Sequence, residues 1–118
     1  MENILNEIPE QLGYQIISEK HKPVHCFYRF KVYQVQDYLP IALEERKKRL
    51  LYQIEGNDLK VVVRLFLNDR KEIVRVRWFR LKATDSELAF YSVMHFIAYL
   101  KTVKKFSEKF VLKMSGPF

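Results

Sequence analysis

A chain of 118 residues with 48% hydrophobic and 30% charged side chains suits one packed domain and is too apolar for a disordered segment. Its 21 lysines and arginines against 14 acids leave a formal net charge of +7, which favours a polyanionic partner, nucleic acid before membrane. The one cysteine, Cys26, excludes an internal disulfide and a thiol cluster for a metal, and it suits a reducing, cytoplasmic setting.

The chain opens with a stretch, Glu2 to about Leu12, that reads as a short helix. Ile4, Leu5, Ile8 and Leu12 fall on one stripe, and Pro9 kinks or restarts it. Met1 leads into acidic residues rather than a basic and then apolar leader, so no signal peptide is expected. Val24 to Tyr33 alternates as a strand. Val24, Cys26, Tyr28, Phe30 and Val32 point one way; His25, Phe27, Arg29, Lys31 and Tyr33 point the other. The second set mixes rings with cations.

Residues 34–40 read as a loop. Ile41 to Arg49 has a proline before it, acids early and bases late, the order a short helix prefers. Leu50 to Glu55 reads as a strand, and Gly56-Asn57-Asp58 as a turn. Leu59 to Lys82 then reads as a β-hairpin, rich in β-branched and aromatic residues and broken by Asn68-Asp69-Arg70-Lys71. A two-residue tip or a four-residue loop both set Val63 opposite Val76 and Arg64 opposite Arg75. One face then carries Leu59, Val61, Val63, Leu65, Leu67, Val74, Val76 and Trp78 and belongs to the core. The other carries Lys60, Val62, Arg64, Phe66, Ile73, Arg75, Arg77 and Phe79.

That second face holds too many rings for a solvated surface and too many guanidinium groups for a core. Like charges directly opposite on a sheet are destabilising. An anion such as a phosphate between Arg64 and Arg75 would relieve the repulsion, and neighbouring rings would stack on bases. A basic groove with stacking rings is the sequence-tolerant way to hold single-stranded nucleic acid. The plainer reading is a half-exposed face on which arginine stems cover apolar surface.

Asp85 or Thr84 can cap a final helix that runs to about Phe106 and reaches as far as Lys109. Leu88 to Leu100 is apolar nearly all round, so one face should cover the sheet and the other should meet a second copy through Phe90, Met94 and Ile97. Phe110-Val111-Leu112 could add a short strand or dock on that partner. The domain thus divides into an N-terminal helical segment (1–22), a sheet (24–82) and a C-terminal helix (84–109).

No metal-ligand spacing, glycine-rich phosphate loop or nucleophile elbow is present in the sequence, so neither catalysis nor a cofactor or metal is expected. Asp69 and Glu72, beside the basic hairpin, keep a metal-dependent nuclease open as a third reading. A protein–protein module, such as a viral or plasmid accessory protein, is the second.

The order of helix, strand, meander and long C-terminal helix, with the basic strand running into that helix at Trp78-Phe79-Arg80-Leu81-Lys82-Ala83-Thr84-Asp85, resembles a group of small single-strand-binding domains. These are the Whirly and positive-cofactor type, the archaeal ThermoDBP proteins and the archaeal-virus single-stranded-DNA binders. The resemblance covers residues 24–106 and implies a sheet surface that binds single-stranded DNA and a dimer through the helix. The expected fold is α+β: an antiparallel sheet of about four strands, a long C-terminal helix packed on one face and a short N-terminal helix. The expected function is non-catalytic binding of single-stranded DNA or RNA. Phosphates would be met by Arg29, Lys31, Lys60, Arg64, Arg75 and Arg77, and bases by Phe27, Tyr33, Phe66 and Phe79.

Overall fold

The computed structural model describes residues 22–36, 41–83 and 85–114. Their strands make one six-stranded sheet in chain order. The strands are β1 (His25–Phe27), β2 (Phe30–Val35), β3 (Arg49–Gly56), β4 (Leu59–Leu67), β5 (Ile73–Ala83) and β6 (Phe106–Met114). β1 to β5 pair antiparallel, and β6 lies parallel to β5. The expected sheet of about four antiparallel strands is therefore corrected: the sheet is mixed, has six strands and curls into a half-barrel. Of the two described helices, α1 (Leu43–Arg46) is a single turn and α2 (Ser86–Val103) is long. The expected N-terminal helix lies outside the described residues.

Two departures account for the extra strands. The stretch from Val24 to Tyr33 is not one strand. Tyr28 and Arg29 turn the chain back on itself, so that Phe27 pairs with Phe30. Tyr28 takes a φ of 51°, the sign that a two-residue hairpin turn requires at its first position. Directly paired residues share a face of the sheet, so His25 and Phe27 lie with Val32 and Phe30 rather than opposite them.

The second departure is at the other end. α2 stops at Lys104, whose extended backbone (φ −133°, ψ 158°) ends the helix short of the expected 106–109. Phe106 to Met114 becomes a strand instead. A parallel neighbour cannot be reached by a tight turn, and α2 is the crossover that brings the chain back beside β5. Asp85 starts that helix, its side chain accepting from the amides of Glu87 (2.9 Å) and Leu88 (3.2 Å).

The main core lies between α2 and one face of the sheet. Ala89, Val93, Phe96, Ile97 and Leu100 press onto Val32, Tyr52, Ile54, Val61, Val63, Leu65, Val76 and Trp78. On the opposite face Val35, Leu51, Val62 and Phe79 form a smaller buried cluster, flanked by Tyr33 and Leu81.

The β4–β5 register differs from the expected one by two residues: Val63 faces Trp78, and Arg64 faces Arg77. Two local features add up to this. The loop holds three residues, Asp69 to Lys71, with Lys71 at φ 62°, the left-handed position that such loops use. Asn68 fixes it, its Oδ1 accepting from the amides of Arg70 and Glu72, both at 2.9 Å. Leu67 therefore pairs with Ile73, which turns Ile73 into the core. The register then shifts again between Leu67 and Phe66, leaving Val74 without a cross-strand partner, and Arg75 meets Phe66 on the other face.

Gly56, at the end of β3, is held tight by its surroundings. A Cβ there would stand 2.5 and 2.7 Å from two ring carbons of buried Phe30. Gly56→Ala should lower stability by about 1–3 kcal/mol, the usual range for overpacking. Chemical denaturation measures this, and adding Phe30→Leu should recover part of the loss.

Candidate nucleic-acid interface

The face turned away from α2 can be assembled row by row from the strand register. Nearest the Asn57-Asp58 turn, one row runs Lys31, Glu55, Lys60, Lys82. The next runs Tyr33, Gln53, Val62, Phe79 and is mostly buried. The third runs Val35, Leu51, Arg64, Arg77, Lys113, and the fourth Arg49, Phe66, Arg75, Val111. Among the described residues neither of the last two rows holds a carboxylate. On β6, Lys109, Val111 and Lys113 alternate with Phe110 and Leu112, which pack toward the core. β6 therefore extends the basic face by two exposed lysines.

The cations are not equivalent. Arg64 is only 5% exposed, so its guanidinium is part of the interior rather than of the surface. Arg64 and Arg77 both make further contacts within the chain. Arg75 and Arg49 share one ring, their guanidinium carbons standing 4.0 and 4.9 Å from the centroid of Phe66. A guanidinium over an aromatic face is attracted by the ring quadrupole. Both arginines are half-buried, and together they occupy the ring expected to stack on a base.

The other expected stacking rings are also engaged. Phe79 is 7% exposed and belongs to the small cluster, with Arg77 5.9 Å from its centroid. Tyr33 is half-buried beside that cluster. Phe27 lies on the α2 face, its ring 4.0 Å from that of His95 and nearly parallel to it. Phe27 is thus separated from Lys31 and Tyr33 by the thickness of the sheet, because the Tyr28-Arg29 turn reverses the face on which β1 residues fall. Arg29 sits in that turn, exposed, 5.0 Å from the ring of Tyr28. Tyr28 itself is 80% exposed, and its ring also meets Phe30 edge to face at 5.8 Å.

Sequence reasoning missed Arg49, Lys109, Lys113 and Tyr28. Arg49 and Lys109 fell at the ends of expected helices. Lys113 had a usable signal, since the apolar Phe110-Val111-Leu112 and its neighbours alternate as a strand. Of the expected dimer residues, Phe90 is exposed and Met94 half-buried, whereas Ile97 is buried against the sheet.

The acids that kept a nuclease reading open are tied into the hairpin loop. Asp69 pairs with Lys48 at 2.9 Å, and the hydrogen bond from Lys48 holds its carboxyl below the usual range. Glu72 accepts from the Asn68 amide at 3.0 Å, which lowers its pKa more than nearby Lys105 does. Among the described residues no three of histidine, cysteine, aspartate and glutamate stand together as metal ligands. No described helix is long and apolar enough to cross a membrane.

A ring stack fastens the β1–β2 hairpin to α2. His25 lies 3.7 Å from Tyr99, at 10° between planes, beside the Phe27–His95 pair. Burial, and after it the charge of His95, lower the His25 pKa. A histidine whose folded pKa lies below its unfolded value of about 6.5 contributes stability above that value and loses it as the pH falls. Between about pH 8 and 5, the range in which histidine titrates, the wild-type melting temperature should therefore fall on acidification. His25→Phe keeps a ring and should flatten that limb; an unchanged profile would remove His25 from the account.

Comparisons with protein families, with curated proteins and with solved structures return no match for this chain.

Proposed function

We propose that the chain is a non-catalytic protein that binds single-stranded nucleic acid, chiefly by charge, across the outer rows of the sheet face turned away from α2. The observation that carries this reading is the pair of rows without an acid: Arg49 and Arg75 around Phe66, and Arg77 beside Lys113, with Lys109 further along β6. Crowding these cations on neighbouring strands costs free energy that phosphates would return. The described rows form a sheet face rather than a helix, which favours a single strand lying across them over entry into a duplex groove. Upper-row Lys31 and Lys60, with Arg29 and the exposed Tyr28 ring at the edge, offer a secondary contact. Stacking contributes less than the residue types alone imply, since Phe27, Phe66 and Phe79 are already engaged.

Anisotropy titrations with oligo-dT and with a duplex of equal length test the reading, at two salt concentrations, with and without Mg²⁺. The single strand should bind more tightly. Four phosphate contacts would give a slope of log K against log salt of about −3. Cleavage in the presence of Mg²⁺ would support the nuclease reading instead. Absence of salt-sensitive binding would transfer the basic face to an acidic protein partner.

A further inference from the structure

We propose that residues 1–21, the stretch that leads into β1, dock on the sheet face turned away from α2 and cover its small apolar cluster. On that face Val62 is 0% exposed, and Leu51 and Gln53 are each 1% exposed. Their burial is as complete as that of the core beneath α2. A largely antiparallel sheet with a helix on one face commonly leaves the other face solvated. A sheet face becomes fully buried by packing against a further layer. α2 supplies that layer on the opposite side, and α1 has no buried residue. The described hydrophobic side chains packed against the small cluster, Tyr33 and Leu81, belong to β2 and β5 of the same sheet. They flank the cluster without roofing it.

Composition, charge and reach identify the cover. Before Lys20 the chain holds four acids, Glu2, Glu7, Glu10 and Glu19, and no lysine or arginine. The same stretch carries Ile4, Leu5, Ile8, Leu12, Ile16 and Ile17, apolar side chains that match the cluster in kind. The receiving face is its complement. The apolar patch adjoins Arg64 and Arg77 in its own rows and Arg49 and Arg75 in the next, where no described residue carries a carboxylate. Arg64, Arg77 and Phe79 lie on this face, and each has a further contact within the chain. The described chain starts at Lys22 beside β2, where the Val24 amide donates to the Val32 carbonyl at 2.7 Å. From β2 the cluster extends to β5, three strand spacings or about 14 Å. Twenty-one residues of extended chain span several times that distance. Docked so, the stretch covers the second row and leaves the fourth row, with Lys109 and Lys113, to a ligand.

Paramagnetic broadening in the full chain, without nucleic acid, tests the contact, so its failure would leave the binding reading standing. A spin label at Asn6→Cys, in a Cys26→Ser background, should broaden the amide signals of Leu51, Val62 and Phe79 more than those of Ser92, Val93 and Phe96 on α2. Broadening of the α2 signals instead, or of neither set, would overturn the proposal. Spin-labelled chain mixed with isotope-enriched chain that carries no label should leave the enriched signals sharp. Broadening in that mixture would assign the cover to a second copy and would equally overturn it. Leu5→Asp with Ile8→Asp places two charges in an apolar contact and should lower the melting temperature by about 5 °C or more. An unchanged melting temperature would mean that this stretch does not cover the cluster.

Discussion

Arg75→Ala together with Arg77→Ala should reduce oligo-dT affinity about 100-fold at low salt, on the basis of roughly 1–1.5 kcal/mol for each phosphate that a surface arginine neutralises. The slope of log K against log salt should shrink by about 0.7 for each such cation removed. Arg75 is the central cation of the face: it stacks on Phe66, and its neighbours on β4 and β6 are Phe66 and Val111 rather than acids. Arg77 also makes contacts within the chain, so a second pair, Lys109→Ala with Lys113→Ala, separates binding from folding. Those two lysines are exposed on an edge strand, and their removal should weaken binding with the melting temperature unchanged. Full affinity in both double variants would show that the ligand lies elsewhere.

The largest loss of stability should follow Phe96→Ala. Phe96 is fully buried and meets Tyr52 edge to face at 5.1 Å, so it joins the middle of α2 to the middle of the sheet. Truncating a buried phenylalanine costs about 3–5 kcal/mol, from the transfer free energy of the missing ring and the cavity left behind. Domains of this size hold only about 5–15 kcal/mol in all. The variant should therefore unfold at much lower denaturant concentration, with the slope of the transition unchanged. A destabilisation below about 1 kcal/mol would mean that the site collapses around the smaller side chain and that α2 is not the main cover of the sheet.

These two sites differ in how far they could be read from residue order. The hairpin from Leu59 to Lys82 was legible because it is rich in β-branched and aromatic residues and is broken by Asn68-Asp69-Arg70-Lys71. Its register was not, because it hangs on a loop fixed by the side chain of Asn68 and on a left-handed Lys71, a residue type with no special claim to that conformation. Arginine still faces arginine, but Arg64 meets Arg77, and the first of the pair is inside. The break at Tyr28-Arg29 left no mark in the sequence either, since neither residue is a usual turn former. It put Phe27 on the wrong face of the expected site. The helical reading past Val103 failed for a related reason: the mostly polar Lys104 to Lys109 fits a helix end as well as an edge strand, and only the apolar run Phe110-Val111-Leu112 argues for the strand.

The edge position of β6 has a bearing on how the molecule assembles. It meets the sheet through a single ladder, and its partner strand precedes it by the whole of α2. β6 pairs only with β5, across the whole of α2, and so non-local a ladder closes late in folding. Lys109 and Lys113 ride on it, so each opening disperses part of the positive charge. A polyanion held across β5 and β6 would in turn brace the strand against opening, and ligand occupancy and closure of the sheet become a single coupled equilibrium.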